Sequence, residues 1–149
     1  MDFKFRPISV EEANEIEDWH YEGKFEDLYM TPYFISADKG GPIKGPGGCD
    51  GFVALYEGKV AGLFEYTVDA GAGVLVIGLA LSPAFVGKGA GADFVRQGIA
   101  FGLANYDDKL DVIELEVNQN NKPAIRVYEK VGFSKIRCME NEVVMRLKV

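Results

Sequence analysis

A glycine-rich segment between a predicted strand and a predicted helix limits the folds open to this chain. The segment FVGKGAGADFV, at 85–95, follows the apolar run VLVIGLAL at 74–81 and precedes apolar residues at helical spacing. Glycine loses the most backbone freedom on folding, so glycines at 87, 89 and 91 need a reason. Unobstructed N–H groups at a helix N-terminus suit a phosphate or pyrophosphate. A tight turn that only permits close packing is the other explanation, and the glycines alone do not decide between them.

Two common phosphate-binding patterns fit this segment poorly. The P-loop pattern GxxxxGK[ST] is absent, because Lys88 precedes the last glycine and is not followed by Ser or Thr. The dinucleotide pattern GxGxx[GA] is met by Gly87, Gly89 and Ala92. However, residues 82–86 separate the strand from the first glycine, and a single strand–helix unit follows. A nicotinamide enzyme on a dinucleotide-binding fold therefore stays a minor alternative.

The remaining patterns predict a mixed α/β chain that forms a single domain over residues 1–149. A capping box of Ser9 and Glu12 begins a first helix, and further helices follow the glycine segment and Asn121. A short helix is also predicted around 26–30, before a Gly/Pro-rich loop. Alternating or continuous apolar runs predict strands at 3–8, 52–56, 60–68, 74–81, 112–117, 134–138 and 142–148.

Charge and composition exclude several classes of function. The net charge is −7 and the basic residues form no run, which argues against nucleic-acid binding. The longest apolar run is too short to span a bilayer, so no membrane partner is expected. Cys49 and Cys138 form no CxxC pair, and the N-terminus lacks the apolar core of a signal peptide, so a cytoplasmic location is expected. Suitably spaced metal ligands are lacking, so no metal site is expected.

Two motifs, in this order, resemble those of the GNAT superfamily of N-acetyltransferases. The first is an acyl-CoA-binding motif with Gln or Arg, two residues, Gly, one residue, then Gly or Ala. Here it corresponds to Val86–Gly91, with the typical Pro83 before it. The second motif is here Asn121, Ala124, Tyr128 and Gly132-Phe133. Val86 departs from the family, since it stands where Gln or Arg is usual, and it predicts weaker CoA binding.

The resemblance implies a fold and a cofactor. The fold would be the single-domain GNAT fold, a central mixed, mostly antiparallel, twisted sheet of about seven strands flanked by about four helices. The cofactor would be acetyl-CoA, and in this family a bulge splays the central strand so that a backbone N–H, here near Ala80 and Leu81, meets the acetyl oxygen. The implied cofactor-binding residues are Ala80, Leu81, Val86, Gly87, Lys88, Gly89, Ala90, Gly91, Ala92, Asn121 and Ala124.

The resemblance also suggests catalytic residues for transfer of an acetyl group to a primary amine in a ternary complex. Tyr128 matches the family's general acid, placed to protonate the leaving thiolate. Glu116, on the strand VIELEV, matches a base glutamate found in part of the family. Glu114 and Glu65 are further candidates for the base, and each of the three could instead be a solvated strand carboxylate.

The acceptor cannot be identified from the sequence. By resemblance its pocket lies between the first helices and the sheet, where Trp19, Tyr21, Tyr29 and Glu65 are the candidate substrate-binding residues. An aromatic wall would favour a cation, although such residues often only pack helices onto a sheet. Small-molecule amines and peptide or protein amines both stay open, as does a homodimer. A catalytically inactive acyl-CoA-sensing module, motivated by Val86, is the alternative to an enzyme.

Overall fold

Seven strands form one mixed sheet with three helices in the computed structural model, which describes residues 1–21, 44–45 and 48–149. The strands are β1 (Lys4–Pro7), β2 (Asp50–Tyr56), β3 (Lys59–Asp69), β4 (Val74–Leu81), β5 (Val112–Asn118), β6 (Ser134–Met139) and β7 (Glu142–Lys148). The helices are α1 (Val10–Glu17), α2 (Gly91–Asn105) and α3 (Lys122–Val131). The predicted short helix around 26–30 lies outside the described residues.

The strand order across the sheet is β1-β2-β3-β4-β5-β7-β6. Every neighbouring pair is antiparallel except β4 and β5, which run parallel. A parallel pair needs a crossover connection, and α2 supplies it between β4 and β5. The predicted mixed, mostly antiparallel sheet of about seven strands is therefore confirmed.

Local signals in the sequence set the ends of the helices. Ser9 and Glu12 form the predicted capping box at the start of α1. Asn121 caps α3 by accepting a hydrogen bond from a backbone N–H, and Gly132 ends that helix with a positive φ of 123°. Residues 57–58 both have positive φ, as a tight hairpin turn between β2 and β3 requires.

Apolar side chains cover both faces of the sheet. The larger cluster joins β2–β5 and β7 to α2 and α3, and the smaller one packs α1 against β2 and β3. Two glycines let α2 lie very close to the sheet. A Cβ added at Gly98 would lie 2.0 Å from a ring carbon of Phe64, and one added at Gly102 would lie 2.5 Å from the ring of Tyr66. The helix that follows the glycine segment is thereby held directly over β3 and β4.

The parallel strands β4 and β5 separate halfway along their length. They pair only at Val74–Val112, Leu75–Ile113 and Val76–Glu114, and then each strand continues without the other. β4 stays paired with β3 along its whole length, from Asp69–Val74 to Gly62–Leu81, with a continuous register. The splayed central strand expected from the family is thus present, because β4 separates from β5. The pairing of β4 with β3, however, contains no bulge. The result is a gap in the middle of the sheet.

Candidate active site

A cavity of about 400 Å³ opens beside the separated end of β4. It is bounded by β4, by the residues that lead into α2, by α3 and by Tyr21. Most of the predicted cofactor-binding residues line it, namely Ala80, Leu81, Val86, Gly87, Gly89, Ala90, Gly91, Asn121 and Ala124. The other two do not, since Lys88 is exposed and Ala92 is buried beneath the start of α2. The structure therefore brings two motifs that are distant in the sequence to one cavity.

The three glycines of the first motif serve two different purposes. Gly87 and Gly89 have φ angles of 76° and 79°, in the left-handed region that favours glycine. Space around both is open, because an added Cβ would meet no atom within 4 Å. At Gly91 an added Cβ would lie 3.1 Å from Cγ2 of Val127 on α3. Two glycines thus shape the backbone, and the third allows α2 and α3 to approach each other.

The start of α2 borders the cavity. Ala90 occupies the N-cap position, where its methyl side chain accepts no hydrogen bond. The first N–H groups of a helix have no partner within the helix, and the helix dipole adds partial positive charge there. Gly89, Ala90 and Gly91 all line the cavity, so this end of it can bind an anion.

The open edge of β4 offers further backbone groups. The Ser82 N–H donates to β3 at 2.8 Å, and hydrogen-bonded pairs alternate along an antiparallel ladder. The N–H and C=O groups of Leu81 and Leu79 therefore point away from β3, toward the gap. Those of Ala80 point to β3, and a Cβ added at Gly62 on β3 would lie 2.9 Å from the Ala80 oxygen. Leu79 and Leu81 both line the cavity.

Tyr128 reaches the cavity from α3. Its side chain is 8% exposed, and its ring packs against Phe133 with the centroids 5.9 Å apart. Burial raises the pKa of Tyr128 well above its ordinary value, so the phenol stays protonated at neutral pH. The cavity thus contains a buried proton donor on one wall.

The two carboxylates of β5 differ in their surroundings. Ile113 and Leu115 point into the core beneath α2 and α3, so Glu114 and Glu116 lie on the other face of the sheet. Glu114 belongs to the last pair before the strands separate, and its Oε1 accepts from Nε of Arg146 at 2.8 Å. Glu116 is exposed beyond that point. Neither carboxylate lines the cavity.

Glu65 lies on β3, on the face of the sheet that α1 covers. It is half-buried, and its Oε2 accepts from the thiol of Cys49 at 3.1 Å. Burial first, and then the Glu65 charge, raise the pKa of Cys49 to about 12, so the thiol remains a donor. The cross-strand neighbours of Glu65 are Gly51 and Gly78. Glu65 does not line the cavity either.

The aromatic residues predicted to bind substrate fall in different places. Trp19 is buried in the apolar cluster of α1, beside Ile16, and does not line the cavity. Tyr21 does line it, and its hydroxyl donates to the Leu81 oxygen at 2.7 Å. Tyr29 lies outside the described residues.

Several lining residues were missed by the sequence interpretation. They are apolar and lie at the end of β4, in the segment before α2, on α2 and on α3: Leu79, Phe85, Phe94, Val95, Pro123 and Val127. The helical spacing that marks Phe94 and Val95 as core residues could have indicated them. Which core positions border the cavity depends on where β4 and β5 separate.

The described part of the chain lacks both a metal-binding cluster and a membrane-spanning helix. Within residues 1–21, 44–45 and 48–149, no group of three or more His, Cys, Asp or Glu side chains could hold a metal ion. No helix in those ranges is long and apolar enough to cross a membrane.

Solved structures with this fold include several acetyltransferases. The aminoglycoside acetyltransferase AAC(6')-Ib in complex with coenzyme A has a TM-score of 0.72 and 19% identity, over 99% of this chain and 95% of that chain. A spermidine N-acetyltransferase SpeG chimera from Vibrio cholerae and hSSAT has a TM-score of 0.72 and 15% identity, over 99% and 96%. Campylobacter jejuni N-acetyltransferase PseH in complex with acetyl coenzyme A has a TM-score of 0.58 and 17% identity, over 69% and 70%. At these identities the likeness shows the fold.

The sequence itself matches the model of the acetyltransferase (GNAT) family over residues 11–133. Among curated proteins, none matches it. The predicted GNAT fold, the acetyltransferase class and acetyl-CoA as the acetyl donor are confirmed by this match and by the neighbouring structures. With both motifs at one cavity and the family model covering most of its length, this chain belongs to the acetyltransferase (GNAT) family.

Proposed function

We propose that this chain transfers the acetyl group of acetyl-CoA directly to a primary amine while both substrates are bound. The observation that carries the proposal is the single cavity that joins the start of α2, the open edge of β4 and Tyr128. Holding the two reactants together supplies much of the rate enhancement in such a reaction. Acetyl-CoA, when bound, supplies an activated thioester.

The anionic part of the cofactor would bind to the N–H groups of residues 87–92. The positive φ angles of Gly87 and Gly89 and the uncapped start of α2 support this assignment. The apolar lining beyond, which includes Leu79, Phe94 and Val95, would hold the pantetheine arm. The outward-facing N–H groups of Leu79 and Leu81 would donate to the arm and to the thioester oxygen.

Tyr128 would donate a proton to the departing thiolate. Tyr128 lines the cavity, and its raised pKa keeps the phenol protonated at neutral pH. A proton donor at the leaving group prevents a free thiolate from building up, and general acids of this kind contribute about 10²- to 10⁴-fold to rates.

Glu116 would remove a proton from the incoming amine, directly or through water. It is on β5 just beyond the last β4–β5 pair, and on the face of the sheet opposite α2 and α3. An amine that approaches the gap from this face would meet Glu116 before the thioester. Glu114 is less suited to this role, because Arg146 already occupies its carboxylate.

The acceptor would be a small cationic amine. Glu65, held by the Cys49 thiol on the same face, and the net charge of −7 both favour a positively charged substrate. Two proteins with the same fold are described as aminoglycoside and spermidine acetyltransferases, which suggests kanamycin and spermidine as first test acceptors.

The test combines ligand binding with turnover. A ligand that binds only the folded state raises the thermal midpoint, so acetyl-CoA is expected to raise it while NADH and NADPH do not. Release of the CoA thiol should then depend on added spermidine or kanamycin. If NADH or NADPH raised the thermal midpoint and acetyl-CoA did not, the proposal would be refuted. A rise with acetyl-CoA but no thiol release with either amine or a panel of peptide amines would favour the inactive sensing module.

A further inference from the structure

We propose that Tyr21 is a positioning residue that holds the open end of β4 for acetyl transfer, an inference that rests on the proposed function. The Tyr21 hydroxyl donates to the carbonyl oxygen of Leu81 at 2.7 Å. The two residues are far apart in sequence and lie on the wall of the same cavity. This assigns Tyr21 to the backbone of β4 rather than to an aromatic wall around the acceptor.

The separation of β4 and β5 explains why such a contact is needed. The Leu81 carbonyl points away from β3, toward the position that β5 would fill if the two strands stayed paired. A buried carbonyl without a donor costs free energy comparable to a lost hydrogen bond. The Tyr21 hydroxyl supplies the donor that β5 no longer provides.

This contact completes the support of one peptide group. The Leu81–Ser82 peptide accepts from Tyr21 through its oxygen, and its N–H donates to the Ala61 oxygen on β3 at 2.8 Å. The peptide is therefore held from two directions, and hydrogen bonds in such a chain polarise one another. It also directly precedes Pro83, where the chain leaves β4 for the glycine segment. Its position thus affects both the outward N–H of Leu81 and the entrance to the anion-binding end.

Tyr21 is built to stay in this contact. Tyr21 is 7% exposed and belongs to the apolar cluster of α1 together with Ile16 and Leu63. Burial raises the pKa of Tyr21 to about 12, so the hydroxyl is a donor throughout the neutral range. Because the ring is buried, the hydroxyl stays in position to donate to the Leu81 oxygen. This hydrogen bond connects the segment that follows α1 to the end of β4.

The kinetic test compares Tyr21→Phe with a matched control, Tyr66→Phe. Tyr66 is also buried and donates to a backbone carbonyl, that of Gly98 at 2.6 Å, but it does not line the cavity. With spermidine or kanamycin as acceptor, Tyr21→Phe should lower kcat roughly tenfold, the scale of one lost hydrogen bond, with the acceptor KM within about twofold. Tyr66→Phe should lower the thermal midpoint and leave kcat within about twofold.

Two kinetic outcomes would overturn the proposal. A raised acceptor KM at unchanged kcat in Tyr21→Phe would place the residue in the acceptor site. If Tyr21→Phe lowered the thermal midpoint but left kcat and KM per folded molecule unchanged, Tyr21 would have only a structural role.

A second measurement does not depend on turnover. Amide hydrogen exchange at Ser82, followed by NMR, should be at least about tenfold faster in Tyr21→Phe than in the wild type or in Tyr66→Phe, with exchange at Leu75 as the internal reference. Equal exchange at Ser82 in all three proteins would overturn the proposal. If the wild type neither binds acetyl-CoA nor releases CoA, the proposed function fails, while the exchange data still decide whether Tyr21 holds β4.

Discussion

The two halves of β4 have similar apolar sequences and very different surroundings. The first half, Val74–Val76, pairs with strands on both sides and lies near α2, where Gly102 approaches Leu75. The second half, Ile77–Leu81, pairs only with β3 and lines the cavity with its last three residues. The loss of one neighbouring strand thus turns part of a core strand into an open edge, which we propose is the binding edge for acetyl-CoA. Changes near the first half should affect stability, and changes near the second half should affect binding and catalysis.

The largest effect is expected for Tyr128→Phe, beside the second half of β4. Without the hydroxyl the leaving thiolate has no buried proton donor, so kcat should fall roughly 10²- to 10³-fold while the affinity for acetyl-CoA stays within about twofold. Because its pKa is raised, the wild-type rate should not decline as the pH rises toward 10, the ordinary pKa of tyrosine. Steady-state thiol release checks both points, and an unchanged rate in the variant would refute the assignment.

A smaller loss is expected for Glu116→Gln, two residues beyond the last β4–β5 pair. Removal of the base should lower kcat/KM roughly tenfold to a hundredfold, with acetyl-CoA binding preserved. Glu114→Gln is the matched control, since this carboxylate belongs to the paired half and is bound by Arg146. Equal losses in the two variants would show that only the charge of this face matters.

Gly102→Ala, on α2 where it approaches the first half of β4, should act on stability alone. The added Cβ would lie 2.5 Å from the Tyr66 ring and 3.0 Å from Cδ2 of Leu75. Overpacking of this kind typically costs about 1–3 kcal/mol, which urea unfolding can measure. The acetyl-CoA affinity of the folded variant should stay within about twofold. A variant as stable as the wild type but defective in binding would contradict the division between the two halves.

The smallest effect is expected for Gly87→Ala, at the entrance to the anion-binding end. No atom would obstruct the added Cβ, but the φ of 76° costs an L residue about 1–2 kcal/mol. If the backbone of residues 87–92 binds the cofactor, this strain should weaken that binding. The affinity for acetyl-CoA, measured by titration, should then fall roughly fivefold to thirtyfold. Gly58→Ala carries a similar strain, at φ 80° and in open space, in the hairpin away from the cavity. It should leave affinity unchanged, and an equal loss in both variants would point to a general destabilisation.

Much of the fold, and the two motifs that border the cavity, follow from local sequence signals. The capping box at Ser9, the cap at Asn121 and the C-terminal Gly132 define helix ends through contacts within a few residues. Alternate glycines before an apolar helix likewise predict either an anion-binding turn or a tight turn that permits close packing. Both motifs border one cavity in the structure.

The other features depend on contacts between distant residues. The separation of β4 from β5 after Val76 is a property of strand pairing, and no local pattern encodes it. Which N–H groups of β4 face the gap depends on its register with β3, which places Ala80 toward β3 and Leu81 toward the cavity. The partners of Tyr21 and Glu114 are likewise long-range. Such pairings require the three-dimensional structure.

The most direct test of the account is amide hydrogen exchange along β4 and residues 87–92, with and without acetyl-CoA. Acetyl-CoA should slow exchange at Leu79 and Leu81, whose N–H groups point toward the gap, and at Gly89, which lines the cavity. Exchange at Leu75, already bonded within the sheet, should change little apart from the global stabilisation shared by the whole core. Bound acetyl-CoA that protected none of these amides, or protected a different surface, would contradict the claim that the opened half of β4 is the binding edge.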